Sequence, residues 1–464
     1  MWPSDGTPEQ EDAGFLSPVE TRRALWVAAI AWGIFGSAWM NLITGAAFVS
    51  FARSLGASAF VLGLLFSLPF VGVLAQLPAS YFVERTRRRR ALFLAFGSSQ
   101  RLVWLAVAAL PWAIPDRYPD ARVGLLLALV VLSSTLGNAG TPAWMSWFAD
   151  MVPEQIRGRY LGNRAALATV TAVITSGTVG WVLDRNSSFP VFTAIFAIAA
   201  VLGLTDLLLF LFVRETPMEA DEGPPWRLGR VIAGPLGNPA FRGYLAYALS
   251  EALMFGIAGP FFWLLGLEVL DIGNFWSNFY IVIVPMVFAA LALPLWGGIC
   301  DRFGAKPVVT LSTIVSLAFP ICWLLATRST YYTLLATAGV MGGIFGAGIQ
   351  VADMSMLFGL TPRRNRSSYI AMLSIAASVG WVVGPILGGA LAQVLRPVQF
   401  PFAGRTFLNL HFVVAVSIAV RLAHILLVIP RLPEEPKQTT GALLRHLCCS
   451  PLERLGSMLF RRRL

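Results

Sequence analysis

Charge is scarce in this chain. Only 13% of its 464 residues are Asp, Glu, Lys or Arg, while 56% are hydrophobic. A soluble globular domain carries about 25% charged residues, so a water-facing surface around one ordinary core is excluded. Histidine is equally sparse: His411, His424 and His446 stand at no metal-ligand spacing, and there is no H-E-x-x-H. No G-x-x-x-x-G-K-[ST] stretch exists, so direct ATP use is not indicated. The chain is not read as an enzyme, and no cofactor or metal is called for. Four cysteines make no framework, because Cys300 and Cys322 lie in or beside apolar runs and Cys448 and Cys449 are adjacent in the tail. A formal charge of +11 comes from short basic clusters between apolar runs. That pattern suits membrane-flanking loops better than a phosphate-binding face, and no nucleic-acid partner is expected.

What the chain has in abundance is long apolar runs. A bilayer crossing needs about 20 mostly apolar residues. Twelve runs qualify, beginning near Ala24, Ala59, Ala91, Val123, Ala165 and Phe189, then near Gly243, Trp276, Val308, Tyr331, Tyr369 and Phe407. They are numbered as spans 1 to 12. The expected fold class is an all-α membrane protein. Ahead of the first run, "LSPVET" reads as a helix start, with Ser17 as cap, Pro18 at the first position and Glu20 closing a capping box.

With the N-terminus in the cytoplasm, 26 of the 35 Lys and Arg residues fall on the cytoplasmic side, 7 outside and 2 within spans. The bias sets both ends inside, and the expected location is the plasma (inner) membrane of a bacterium. The longest internal connection is rich in Pro, Gly and charge and divides the spans six and six. The expected organisation is a tail (1–23), a first six-helix bundle (24–213), a cytoplasmic linker (214–241), a second bundle (242–430) and a C-terminal tail (431–464). The stretch "WRLGRVI" in the linker has the look of a short interfacial helix. The basic, amphipathic tail reads either as a helix on the inner leaflet or as a disordered segment.

Two motifs recur between the halves. Gly297-x-x-x-Asp301-Arg302-x-Gly304-x-Lys306 lies between spans 8 and 9, and Ser80-x-x-x-Glu84-Arg85-x-Arg87-x-Arg89 lies between spans 2 and 3, 217 residues earlier. Residues 143–160 align without gaps on 352–369, pairing Ala143 with Ala352, Met145 with Met354, Ser146 with Ser355, Pro153 with Pro362, Arg157 with Arg366 and Tyr160 with Tyr369. Two unrelated motifs repeating at nearly one offset mark a parallel duplication.

On these residues the chain resembles the major facilitator superfamily, over nearly its whole length. The resemblance implies two pseudo-symmetric six-helix bundles acting as a monomer. It places spans 1, 4, 7 and 10 around a central cavity, spans 2, 5, 8 and 11 between the halves, and spans 3, 6, 9 and 12 outside as support. It further implies that the loop residues Glu84, Arg85, Gly297, Asp301, Arg302, Gly304 and Lys306, with Arg157 and Arg366, form a latch. Gly297 would permit close helix approach and Gly304 a tight turn. Asp301 would cap or face a helix N-terminus of the opposite half, and Arg302 and Lys306 would reach carboxylates or helix ends nearby. The bland alternative is a positive-inside anchor. In span 11, "GWVVGPILGG" (380–389) resembles the glycine-proline motif that drug antiporters of this family carry in span 5, whereas span 5 here lacks the Gly-Pro.

Ionisable residues inside a bilayer are costly and are functional candidates by default. Arg101 (span 3), Asp206 (span 6), Glu251 (span 7), Asp353 (span 10), and Arg421 and His424 (span 12) qualify. Rise per residue places most of them roughly 12–15 Å deep, near mid-bilayer. Arg101 and Asp206 are read as a buried structural ion pair. Arg421 either pairs with Asp353 or does not. Glu251 is then left without a countercharge: it either gains and loses a proton, coupling transport alone or together with Asp353, or stays neutral as a hydrogen-bond donor. Polar residues recur at helical spacing on the four presumed cavity helices: Ser37, Asn41 and Thr44; Ser134, Asn138 and Thr141; Tyr247 and Glu251; Gln350 and Asp353. They read as substrate contacts, or as ordinary polar helix packing. Gly256 and Gly259-Pro260 suggest a break in span 7. The reading reached is a secondary active transporter that moves a small organic solute by alternating access, coupled to protons. The alternative is an uncoupled sensor, or a lipid scramblase or lipid transporter, on the same fold.

Overall fold

The computed structural model describes residues 17–153, 156–216, 234–361, 366–402, 405–433 and 438–447. "WRLGRVI", most of the linker, and Cys448 and Cys449 lie outside the described residues, as do the side chains of Arg157 and Arg366.

Twelve helical spans long and apolar enough to cross a membrane follow one another: Pro18–Ser54, Ala59–Thr86, Arg89–Ala113, Pro119–Met151, Arg159–Arg185, Phe189–Phe212, Pro239–Leu270, Asn274–Phe303, Ala305–Leu325, Tyr331–Leu357, Tyr369–Val394 and Asn409–Arg431. In the bilayer every backbone polar group must be satisfied within the fold, and helices do this locally. The start of span 1 has the capping box read from the sequence: the Glu20 N–H donates to Ser17 Oγ at 3.3 Å, and the Ser17 N–H donates to Glu20 Oε2 at 3.0 Å. Span 1 is irregular, with a π-helical stretch at Ala31–Gly36 and a break before Gly45. In span 7 the first helix ends at Ala258, and a turn at Gly259 and Pro260 separates it from Phe261–Leu264.

The contacts sort the chain into two compact units that do not coincide with the two sequence repeats. The first comprises residues 1–225, 256–283 and 381–410. The Gly-Pro stretch of span 11 explains part of this grouping. A Cβ on Gly384 would lie 2.9 Å from Gly256, one on Gly388 would strike Ile257 and Phe261, and one on Gly389 would meet Ala59 and Phe60. Gly63 of span 2 sits equally close to Pro385. These glycines let span 11 touch spans 2 and 7 backbone to backbone.

At the end of this unit that carries the span 7–8 connection, Asp184 caps the start of span 8. Its carboxylate accepts the N–H of Asn274 and, at 2.9 Å, that of Phe275. Ser50 Oγ donates to Asn274 Oδ1 at 2.7 Å, Asn278 Nδ2 to the Ser176 carbonyl at 3.0 Å, and Arg53 pairs with Glu268 at 2.5 Å. Residues 398–407 of the span 11–12 connection include a short antiparallel hairpin, Phe400–Phe402 with Arg405–Phe407.

The second unit comprises residues 226–255, 284–380 and 411–464. Its core joins Phe241, Tyr244, Tyr247, Trp296, Phe303 and Leu443. Leu443 belongs to a short helix, 440–447, so this part of the tail is a packed element of the unit. The ring of His446 lies 5.3 Å from that of Phe303, and the Gln438 N–H donates to the Phe303 carbonyl.

Candidate functional site

A cavity of about 400 Å³ lies wholly within the first unit, lined by spans 1, 2, 3, 4, 5 and 6. Four tryptophans, Trp32, Trp39, Trp104 and Trp144, supply flat walls. Its ionisable lining is Arg101, Arg164 and Asp206. Arg101 is buried; its Nη2 donates to Asp206 Oδ2 at 3.3 Å, its Nη1 to Gln100 Oε1, and its guanidinium lies 3.9 Å from the Trp39 ring centroid. Two glycines make room for this stack: a Cβ on Gly203 would come within 2.7 Å of both Arg101 and Trp39, and one on Gly36 within 3.0 Å of Asp206. Arg164 donates from Nε to the Ala28 carbonyl at 3.2 Å and stands among Trp32, Trp144 and Phe148, with ring centroids 4.7–5.7 Å from its guanidinium carbon.

A second constellation lies within the second unit. The Tyr247 hydroxyl, fully buried, is 2.8 Å from Asp353 Oδ1 and 3.3 Å from Glu251 Oε1. The Tyr244 hydroxyl donates to the Asp353 carbonyl at 2.9 Å, and the two tyrosine rings stack. The neighbouring cation, Arg421, is directed elsewhere: it donates to Ser316 Oγ at 3.1 Å and lies over Phe255 at 4.4 Å. His424 Nδ1 is 2.8 Å from Ser250 Oγ. Among the described residues neither carboxylate has an ion-pair partner. Two carboxyl groups bridged by one hydroxyl, with Arg421 near Glu251 but in direct contact with neither, form a unit able to take up and release a proton.

A family model described as Major Facilitator Superfamily matches residues 29–292 and 277–463. The chain belongs to the major facilitator superfamily. Among curated relatives, the multidrug resistance protein MdtG of Dickeya zeae is 32% identical over 140 residues, covering 29% of this chain and 33% of that one. The class H tetracycline resistance protein of Pasteurella multocida is 33% identical over 110 residues, covering 24% of this chain and 26% of that one. These alignments span about a third or less of the relatives' lengths. Among solved structures, the nucleoside transporter NupG matches with TM-score 0.63 at 12% identity, over 90% of this chain and 100% of that one. A bacterial homolog of the human lysosomal transporter Spinster, inward-facing and occupied, matches with TM-score 0.61 at 15% identity, over 89% and 96%. Those likenesses show the fold; the family match together with the twelve apolar spans makes this an integral, multi-pass membrane protein.

The polar stripes of the four presumed cavity helices divide in two. Thr44, Ser134, Asn138 and Thr141 line the first unit's cavity. Ser37 and Asn41 instead join span 1 to span 5: Ser37 Oγ donates to the Ala168 carbonyl at 2.8 Å, and Asn41 Oδ1 accepts from Ser176 Oγ at 3.0 Å. Tyr247, Glu251 and Asp353 are brought together, while Gln350 is exposed. Arg421 and Asp353 do not pair, because Arg421 is committed to Ser316 and Phe255.

The loop motif is built differently from the expectation at Gly297. No atom stands within 4 Å of where a Gly297 Cβ would be, so close approach does not require that glycine here. Lys306 reaches a helix end, that of span 12 in its own unit, donating to the Pro430 and Leu432 carbonyls at 3.0 and 2.9 Å. Gly304 does make the turn, with φ +92°. Glu84, Arg85, Asp301 and Arg302 are exposed.

Arg164 escaped the sequence reading because it precedes the apolar run expected from Ala165, and so counted among loop cations. In the structure it lies inside span 5. Asp184 was missed because a polar residue at the end of a span carries no periodic signal. Gln100 was hidden beside Arg101. Its carboxamide packs where a Cβ on Gly137 would sit, a proximity no sequence pattern reports.

Proposed function

We propose that this protein is a proton-coupled secondary active transporter of a small organic solute. The carrying observation is the Tyr247 hydroxyl shared between Asp353 and Glu251 with no ion-pair partner for either carboxyl among the described residues. A charge isolated in a membrane span costs several kcal/mol, and a function that needs proton exchange is a reason to retain it. The solute enters the tryptophan-walled cavity of the first unit, whose volume lies in the range of small-molecule sites. Relatives named for multidrug and tetracycline resistance, and a structural neighbour named for nucleoside transport, support a small organic solute. Transport proceeds by alternating access of the two six-span repeats, with the Gly297–Lys306 loop as a candidate latch. The Lys and Arg bias supports cytoplasmic termini in a bacterial inner membrane.

Flux in proteoliposomes with and without an imposed pH gradient tests the reading. The expected result is solute movement driven by the gradient, and in Glu251→Gln a loss of gradient drive while solute exchange persists. Gradient-driven flux of wild-type size in Glu251→Gln would remove Glu251 as the coupling residue. No flux across a broad panel of solutes would overturn transport itself.

A further inference from the structure

The lining of the first unit's cavity carries a charge excess that Asp206 does not cancel. It holds two guanidinium groups, Arg101 and Arg164, and one carboxylate, Asp206. Arg101 takes Asp206 as its partner at 3.3 Å. Arg164 spends only its Nε, on the Ala28 carbonyl, and among the described residues nothing accepts from its two Nη atoms. An uncompensated cation in a low-dielectric site favours an anion brought in from outside.

The remaining donors point the same way. Thr44, Ser134 and Thr141 each direct their hydroxyl hydrogen to a backbone carbonyl, of Met40, Pro69 and Gly137, at 2.7, 2.8 and 3.1 Å. The Asn138 amide donates to the Ser134 carbonyl at 3.0 Å, and its Oδ1 accepts from Gln76. Among the described residues the lining donors without an acceptor include the Arg164 Nη atoms, Gln100 Nε2 and the indole N–H groups of Trp32 and Trp144, and of these only Arg164 carries a charge. Arg164 is half-buried and held among Trp32, Trp144 and Phe148, so its fork is oriented before a ligand arrives, and guanidinium suits a carboxylate in two-point contact. Trp144 is itself stacked with Phe93 and Phe148, so the indole beside Arg164 left to meet a flat ring is that of Trp32, which lines the cavity and is exposed.

We propose that this cavity selects planar aromatic solutes bearing an anionic group, with Arg164 as the residue that holds the anion. The assignment deepens the transport reading and rests on it for the claim that the bound solute is carried.

The test uses the purified full-length protein in lipid nanodiscs, with empty discs as control, and three matched probes: indole-3-acetate, indole-3-acetamide and tryptamine. Isothermal titration is expected to show the anion binding about tenfold or more tighter than the neutral amide, the order of one charge-assisted hydrogen-bonded pair, and tryptamine weakest. Arg164→Gln should remove the preference for the anion over the amide, and Arg164→Lys should keep part of it. If Arg164→Gln does not fold, Arg164→Lys and the wild-type ranking still decide. Equal affinity for the three probes, a preference for the amide or tryptamine, a preference that survives Arg164→Gln, or binding of none of them overturns the assignment. Arg164-dependent binding of the anion without flux in proteoliposomes upholds this site and defeats transport. Flux of neutral or cationic solutes with no anion preference does the reverse.

Discussion

Lys306 Nζ donates to the carbonyl of Leu432 at 2.9 Å, and in the other repeat Arg89 Nη2 donates to that of Thr216 at 2.7 Å. The two cations hold the last position of the duplicated loop motif, and each ties down the chain just past the sixth span of its own repeat. A helix C-terminus leaves four carbonyls unpaired and carries partial negative charge, so a cation there is doubly favoured. The two ties differ in depth. Arg89 is fully buried and also donates to Ser146 and to Asp150, while Lys306 is half-buried. Arg89→Ala should therefore cost more, about 2–4 kcal/mol, because it strips several charge-assisted bonds from a closed site. Lys306→Ala should cost about 1 kcal/mol. Thermal unfolding in detergent, run side by side, checks the order; equal losses would show that burial does not set it.

The same motif makes its turn in two ways. Gly304 takes φ +92°, and its counterpart Arg87 takes φ +54° although it carries a side chain. A left-handed conformation costs a non-glycine residue roughly 1–2 kcal/mol. Arg87 is exposed, so removing its side chain gives up little packing. Arg87→Gly is expected to raise stability slightly, by about 0.5–1 kcal/mol after the larger unfolded-state entropy of glycine is deducted. A lowered melting temperature would mean that the arginine side chain contributes more than its backbone strain costs.

These contrasts bear on how much the residues disclose in advance. Twelve spans are legible because crossing a bilayer demands length and apolarity together, and both can be counted. The duplication is legible because Pro153 and Pro362, or Arg85 and Arg302, return in register. Contacts between distant segments are another matter. Ser37 and Asn41 have the same spacing as cavity residues, yet they bond span 5, and no periodicity distinguishes a helix facing a helix from one facing a void. Gly384, Gly388 and Gly389 announce close approach without naming the partners. Arg164 shows a boundary effect, where one residue outside an apolar run meant exclusion from the intramembrane charges.

The Arg101–Asp206 pair lines the cavity while also holding spans 3 and 6 together, so its removal should be read on stability before activity. Both groups are nearly inaccessible. Arg101→Ala leaves Asp206 without its partner and opens space beneath Trp39, for a cost of about 3–5 kcal/mol. The expected outcome is low yield and a depressed melting temperature. Adding Asp206→Asn should recover part of the loss, since the stranded charge is then gone. A normal melting temperature for Arg101→Ala alone would show that the pair bears no structural load.

Tyr247 invites a narrower substitution. Its hydroxyl meets both Asp353 and Glu251, while its ring packs against Tyr244 and His424. Tyr247→Phe keeps the ring and deletes the bridge, so the core should hold to within about 1–2 kcal/mol. Under the proton-coupling proposal, the pH profile of gradient-driven flux should move, because the two carboxyls no longer share a donor. An unchanged profile would place proton exchange elsewhere.

Asp184 offers a test at the span 7–8 connection. Its carboxylate accepts two successive N–H groups at the start of span 8, where an anion is favoured by the helix dipole. Asp184→Ala should cost about 1 kcal/mol, and Asp184→Asn less, since the amide oxygen can still accept. Overall stability is a blunt readout for so local a change. Hydrogen exchange at residues 274–279 is sharper: these amides should exchange faster in Asp184→Ala, while the helix 440–447 in the other unit stays unaffected. The same contact can be broken from the other side. A Cβ on Gly180 would lie 2.6 Å from Phe275 Cα, so Gly180→Ala must push the start of span 8 away, at about 1–3 kcal/mol. If cap and glycine hold one contact, their double substitution will cost less than the sum of the two single ones. Full additivity would mean that Asp184 and Gly180 act on separate parts of the structure.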